Sequence, residues 1–102
     1  YNTAAPSAPA YTDLLAGVGQ DAWTVLRGSK PGNTCCFDAA VKDPADPLTS
    51  RIDLVLITKR ITAKGITRVG ENPNTDLTRS GLWPSDHAGV VARLLIGRWP
   101  AR

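Results

Sequence analysis

A small mixed α/β domain, with short helices first and a mainly antiparallel sheet after them, is what this sequence predicts. Three patterns point there. Near the start, Tyr11, Leu14, Leu15 and Val18 recur at the spacing of one buried helical face. In the middle, residues 51–57 form a nearly continuous apolar run, as in a strand covered on both faces. Near the end, residues 65–70 alternate in β fashion and residues 89–96 are rich in Val, Leu and Ile. With 102 residues, the chain has the length of one domain.

The elements follow in order. Residues 4–9 are rich in Ala, Ser and Pro and read as a loop. Residues 10–19 read as a helix, with Gly17 and Gly19 as stop signals. Residues 21–27 read as one or two helical turns. Asp21 caps them, Gly28 ends them, and Trp23 and Leu26 face the core. After a Pro31, Gly32 turn, residues 33–37 have β character. Residues 43–47, with two prolines, read as irregular. The strand over 51–57 is the strongest, although Asp53 interrupts it. A polar loop over 71–84 separates the last two strands, and residues 99–102 form a tail. No internal repeat is present.

Composition narrows the function classes. Hydrophobic residues make up 42% and charged residues 21%, as in ordinary globular domains. The net charge of +3 suits an anionic substrate, but no run of Lys or Arg reads as a nucleic-acid arm. Lys59, Arg60, Lys64 and Arg68 form a loose group that reads as a solvated face. No apolar stretch reaches the roughly 20 residues of a membrane-spanning helix. Cys35 and Cys36 read as two separate half-buried thiols rather than a vicinal disulfide. With one His beside them, they are too few for structural zinc. They do not decide the compartment.

Three features carry chemistry: Ser85, Asp86 and His87 before the last strand, Asp53 within the apolar run, and Asn2. His87 is the only histidine. A carboxylate in an apolar strand is costly to bury without a partner. If Asp53 accepts from one ring nitrogen of His87, it fixes the tautomer and leaves the other nitrogen for a substrate. Two alternatives stand beside this. Arg51, two residues away on the same strand face, is a competing partner for Asp53. Ser85, His87 and Asp53 also spell a serine-nucleophile triad, although no G-x-S-x-G elbow accompanies them.

The segment Leu82, Trp83, Pro84, Ser85, Asp86, His87 through Ala92 resembles the closing motif of the endonuclease/exonuclease/phosphatase superfamily, the DNase I-like fold. The segment Ser50, Arg51, Ile52, Asp53 through Ile57 resembles that family's Arg-Ile-Asp strand. The stretch Thr34, Cys35, Cys36 through Leu48 and the helix with Asp21, Ala22 and Trp23 resemble bacterial members. Tyr1 and Asn2, followed by a loop and a helix, resemble the end of the family's Gly-Asp-aromatic-Asn motif.

This resemblance implies the C-terminal half of a four-layer αββα sandwich, one partial domain over residues 1–102. It implies a metal-dependent hydrolase of phosphoester bonds, with His87, Asp53, Asp86 and Asn2 as catalytic residues. His87 and Asn2 contact the phosphate, Asp53 orients His87, and Asp86 sits by the metal or positions the attacking water. Asn2 and Ser85 bind substrate. The implied cofactor is Mg²⁺, with Mn²⁺ or Ca²⁺ as substitutes. The implied partners are a phosphoester substrate (nucleic acid, phosphoinositide or phospholipid headgroup) and a missing N-terminal half that carries further metal ligands. Without that half the fragment is expected to be inactive. The alternative function is a non-catalytic half-domain that acts through partner binding or self-association.

Overall fold

The computed structural model describes residues 3–97. It shows a mixed α/β arrangement of two short helices and two small antiparallel sheets. The elements run α1 (Pro9–Val18), β1 (Gln20–Asp21), α2 (Ala22–Arg27), β2 (Leu56–Ile57), β3 (Ile61–Val69) and β4 (Gly89–Ile96). The expectation for Asn2 lies outside the described residues.

Helix α1 begins on a proline, whose fixed φ suits the first helical turn. It ends at Gly19, at φ 128°, whose N–H donates to Leu15 O at 2.8 Å. On the predicted face only Tyr11 is fully buried; Leu14, Leu15 and Val18 are half-buried. Helix α2 is capped as its sequence suggests, with the Asp21 carboxylate accepting from Trp23 N at 3.1 Å.

Strands β1 and β2 pair antiparallel, Gln20 opposite Ile57 and Asp21 opposite Leu56. Strands β3 and β4 pair over nearly their whole length, from Ile61 opposite Ile96 to Val69 opposite Gly89, with an irregularity between Ala63 and Gly65. The core sits between α2 and this second sheet. It comprises Ala22, Ile57, Ala63 and Ile66, with Leu26, Val90 and Ala92 packed against them.

The middle of the chain departs from expectation. Residues 51–57 are not one strand: only Leu56–Ile57 is, beside isolated bridges at Ser50 and Arg51. The reason is where the backbone donors go. Ile52 N and Asp53 N both donate to the Thr34 hydroxyl at 3.1 Å rather than to a neighbouring strand. Val55 O accepts from Ala22 N at the start of α2. The run is therefore not covered on both faces, and Ile52, Leu54, Val55 and Leu56 are half-buried. Residues 33–37 likewise form only bridges, with Cys35 between Ser50 and His87. Cys35 and Cys36 are joined as a vicinal pair, which corrects the reading of two separate thiols.

The turn before Cys35 depends on Gly32. It is buried and holds φ 59°, and a Cβ there would run into the Trp23 indole. Trp23 cannot swing away freely, because its Nε1–H donates to Lys30 O at 2.7 Å. Gly32→Ala is expected to cost about 1–3 kcal/mol, from the positive φ and the overpacking together. Urea denaturation measures it, and an unchanged midpoint would show that the indole moves at little cost.

Candidate functional site

The segment carrying Ser85, Asp86 and His87 is docked by Trp83. This side chain is 3% exposed and stacks on Phe37 with ring centroids 4.1 Å apart and planes 8° from parallel. Its Nε1–H donates to Asp43 O at 2.8 Å, and its backbone N–H donates to Val41 O at 2.8 Å. From there the chain lies along residues 34–37. Phe37 N donates to Asp86 O at 2.9 Å and Ala88 N to Thr34 O at 2.8 Å.

The opposite side of residues 34–37 holds the Asp53 segment. Thr34 N and Cys35 N donate to Ser50 O at 2.8 and 2.9 Å, and the Thr34 hydroxyl takes the amides of Ile52 and Asp53. Thr34 is 1% exposed. Residues 34–37 thus stand between two segments that meet above them. There, His87 Nδ1 and Asp53 Oδ2 are 2.6 Å apart, across 34 positions of sequence.

An ionised carboxylate only accepts, so Nδ1 carries the proton in this contact. In the neutral imidazole Nε2 is then the unprotonated nitrogen. Among the described residues Nε2 has no hydrogen-bond partner, and the side chain is 28% exposed. A base held in one tautomer and open to solvent can take a proton from water, or donate one once protonated.

Arg51 does not compete for Asp53. Its Nη1 lies 2.7 Å from Asp21 Oδ2, with side chains 6% and 1% exposed. The contact is a charge pairing rather than an aligned hydrogen bond. Tyr11 Oη–H donates to the same carboxylate oxygen at 2.7 Å, and the guanidinium lies 5.9 Å from the Tyr11 ring centroid. Asp21, read from sequence only as a helix cap, is also the counter-ion.

Ser85 is not placed as a nucleophile activated by His87. Its hydroxyl accepts from His87 N at 3.1 Å and donates to Asp86 Oδ1 at 3.4 Å; it does not bond the imidazole. Asp86 is exposed. Thr34 was not singled out from sequence. Its signal, a Thr ahead of a β-like triplet, is too common to find it.

No cluster of three or more His, Cys, Asp or Glu side chains that could hold a metal exists among the described residues. The carboxylate of Asp86 alone does not fit a resident Mg²⁺, which takes six oxygen ligands and usually more than one from carboxylate or phosphate. No helix is long and apolar enough to cross a membrane among the described residues.

No family model matches this chain, and no curated protein or solved structure does either.

The loop from β3 to β4 is organised around Asp76. Its Oδ2 accepts from Asn72 N at 2.9 Å and Glu71 N at 3.1 Å, and its Oδ1 accepts from the Thr75 hydroxyl at 3.0 Å. The Asn72 amide foremost, then the Thr75 hydroxyl, holds this carboxyl below its ordinary 3.8. A depressed folded value contributes order that is complete above 3.8 and is lost as pH falls through the folded value. An NMR pH titration is expected to show the Glu71 and Asn72 amides moving with a midpoint below 3.8. A midpoint at or above it would mean that these hydrogen bonds do not form in solution.

Proposed function

We propose that this chain is the histidine-bearing part of a phosphoester hydrolase of the DNase I-like type, the C-terminal half of its αββα sandwich. The observation that carries the reading is the 2.6 Å contact between His87 Nδ1 and Asp53 Oδ2, made by the two motifs that resemble that family. In this reading Asp53 is the positioning residue and His87 the acid–base group at the phosphate. Asp86 and Ser85, exposed beside it, face the substrate side, and Asn2 is assigned to the phosphate by resemblance alone. Mg²⁺, or Mn²⁺ or Ca²⁺ in its place, belongs to the reading only with ligands from outside this chain, which the resemblance assigns to an N-terminal half. The substrate class is a nucleic acid, a phosphoinositide or a phospholipid headgroup.

The test is an activity panel on the full-length parent. Plasmid DNA, abasic DNA, a phosphoinositide and sphingomyelin are each assayed with Mg²⁺ and with EDTA. Hydrolysis of at least one, abolished by EDTA, is expected. A parent inert on all four rejects the reading.

A second reading, association through an exposed sheet, draws on β4. Val91, Leu95 and Ile96 are 54%, 55% and 75% exposed, an apolar display that isolated domains usually cover. Sedimentation of the purified chain decides it, since a monomer at all concentrations removes self-association.

A further inference from the structure

A cavity of about 460 Å³ opens between the bridge of Ala5 to Arg51 and the turn after α2. Its polar lining is basic and hydroxylic: Lys30, Arg51, Thr24 and Ser29. Pro6 and Pro31 supply apolar wall, and no carboxylate lines it. A second cavity, about 340 Å³, differs in sign. Asp46 and Glu71 line it against one cation, Arg68, whose Nη1 already donates to Asn33 O at 2.8 Å.

We propose that the 460 Å³ cavity is a subsite for a small organic phosphate, with the phosphate toward Lys30 and Arg51 and the organic body against Pro6 and Pro31. Two observations carry this beyond charge sign. Lys30 has no carboxylate partner among the described residues, so its charge is uncommitted. Arg51 Nη1 is paired with the Asp21 carboxylate, but Nη2 reaches Thr24 Oγ1 only at 3.5 Å and so has donor capacity to spare. A phosphate oxygen is a strong acceptor for a guanidinium. The volume lies within the range of small-molecule sites.

The place of the cavity ties it to the proposed reaction, and the inference rests on that reading for its link to substrate. Arg51 is two residues from Asp53, and Asn33, also in the wall, precedes the threonine that holds the Asp53 amide. Neither His87 nor Asp53 lines the cavity, so an anionic group held here leaves their pair free. A substrate with a second phosphate, or the phosphate-bearing product, matches that layout.

The experiment is an amide NMR titration of the chain with phenyl phosphate and, separately, with inorganic phosphate. Phenyl phosphate is expected to shift the Gly28, Ser29 and Lys30 amides saturably. Lys30→Glu is expected to weaken this at least about tenfold, the loss of one charge-assisted contact, while Lys30→Arg stays within about threefold. Lys30 is exposed, so the fold persists in both variants. His87→Ala is expected to leave the affinity unchanged. Shifts confined to residues 85–87 and lost in His87→Ala would overturn the subsite, as would a Lys30→Glu affinity equal to the parent's. Inorganic phosphate binding as tightly as phenyl phosphate would overturn the organic part of the assignment. An inert parent in the activity panel would sink the proposed reaction but leave this titration's outcome intact, so the two can fail separately.

Discussion

On the proposed hydrolase reading, replacing His87 with alanine is expected to lower phosphoester hydrolysis about 10²–10⁴-fold, the usual contribution of a positioned acid–base group. The fold should survive. The side chain is 28% exposed and its one hydrogen bond is to Asp53, so its removal leaves no cavity in the core. Asp53→Asn is the sharper test. Asparagine keeps the shape but presents an amide that can turn its NH₂ toward Nδ1 and favour the other tautomer. It is expected to lower kcat by about tenfold or more while leaving KM nearly fixed, since an orienting group acts on the transition state rather than on binding. The far-ultraviolet circular dichroism of both variants should match the parent's. If His87→Ala retains full activity on every substrate the parent hydrolyses, the pair is structural and the reaction lies elsewhere.

The largest stability effect is expected at Asp21 and Arg51. Either single change, Asp21→Asn or Arg51→Met, leaves a charge buried without its partner. Loss of one member of a buried pair costs about 3–5 kcal/mol. Against a domain's usual 5–15 kcal/mol, this is enough to unfold much of the population. Asp21→Asn also weakens the cap on α2 and the acceptor for Tyr11, so it should be the worse of the two. The double variant should be more stable than the sum of the singles implies, because neither charge is then stranded. Urea denaturation of the four proteins measures the coupling. Strictly additive losses would mean that the two groups do not interact.

These two clusters divide what could be read from the sequence. The His87–Asp53 contact was legible because one carboxylate inside an apolar run demands a donor and the chain has a single imidazole. Helices α1 and α2 were legible because their spacing, caps and glycine stops are local. Strands β3 and β4 were legible in place, though β3 begins earlier than its alternation suggested. The middle was misread for a physical reason. An apolar run records which side chains avoid water, not where the backbone donors go. At Ile52 and Asp53 they go to a threonine hydroxyl, and no period in the sequence reports that. Arg51, the alternative partner that local spacing offers Asp53, pairs with Asp21 instead. Its true partner arrives through the bridge of Ser50 to Cys35 and the β1–β2 pairing, which are long-range events.

Thr34 makes the His–Asp pair hard to move to another scaffold. Its hydroxyl sets the height of Asp53 and its carbonyl sets that of the residue after His87, so one buried amino acid is the common datum for both. Grafting the two reactive side chains alone would carry over the chemistry and leave behind the ruler. A working transplant needs three separate segments, with the middle one contributing no reactive group at all.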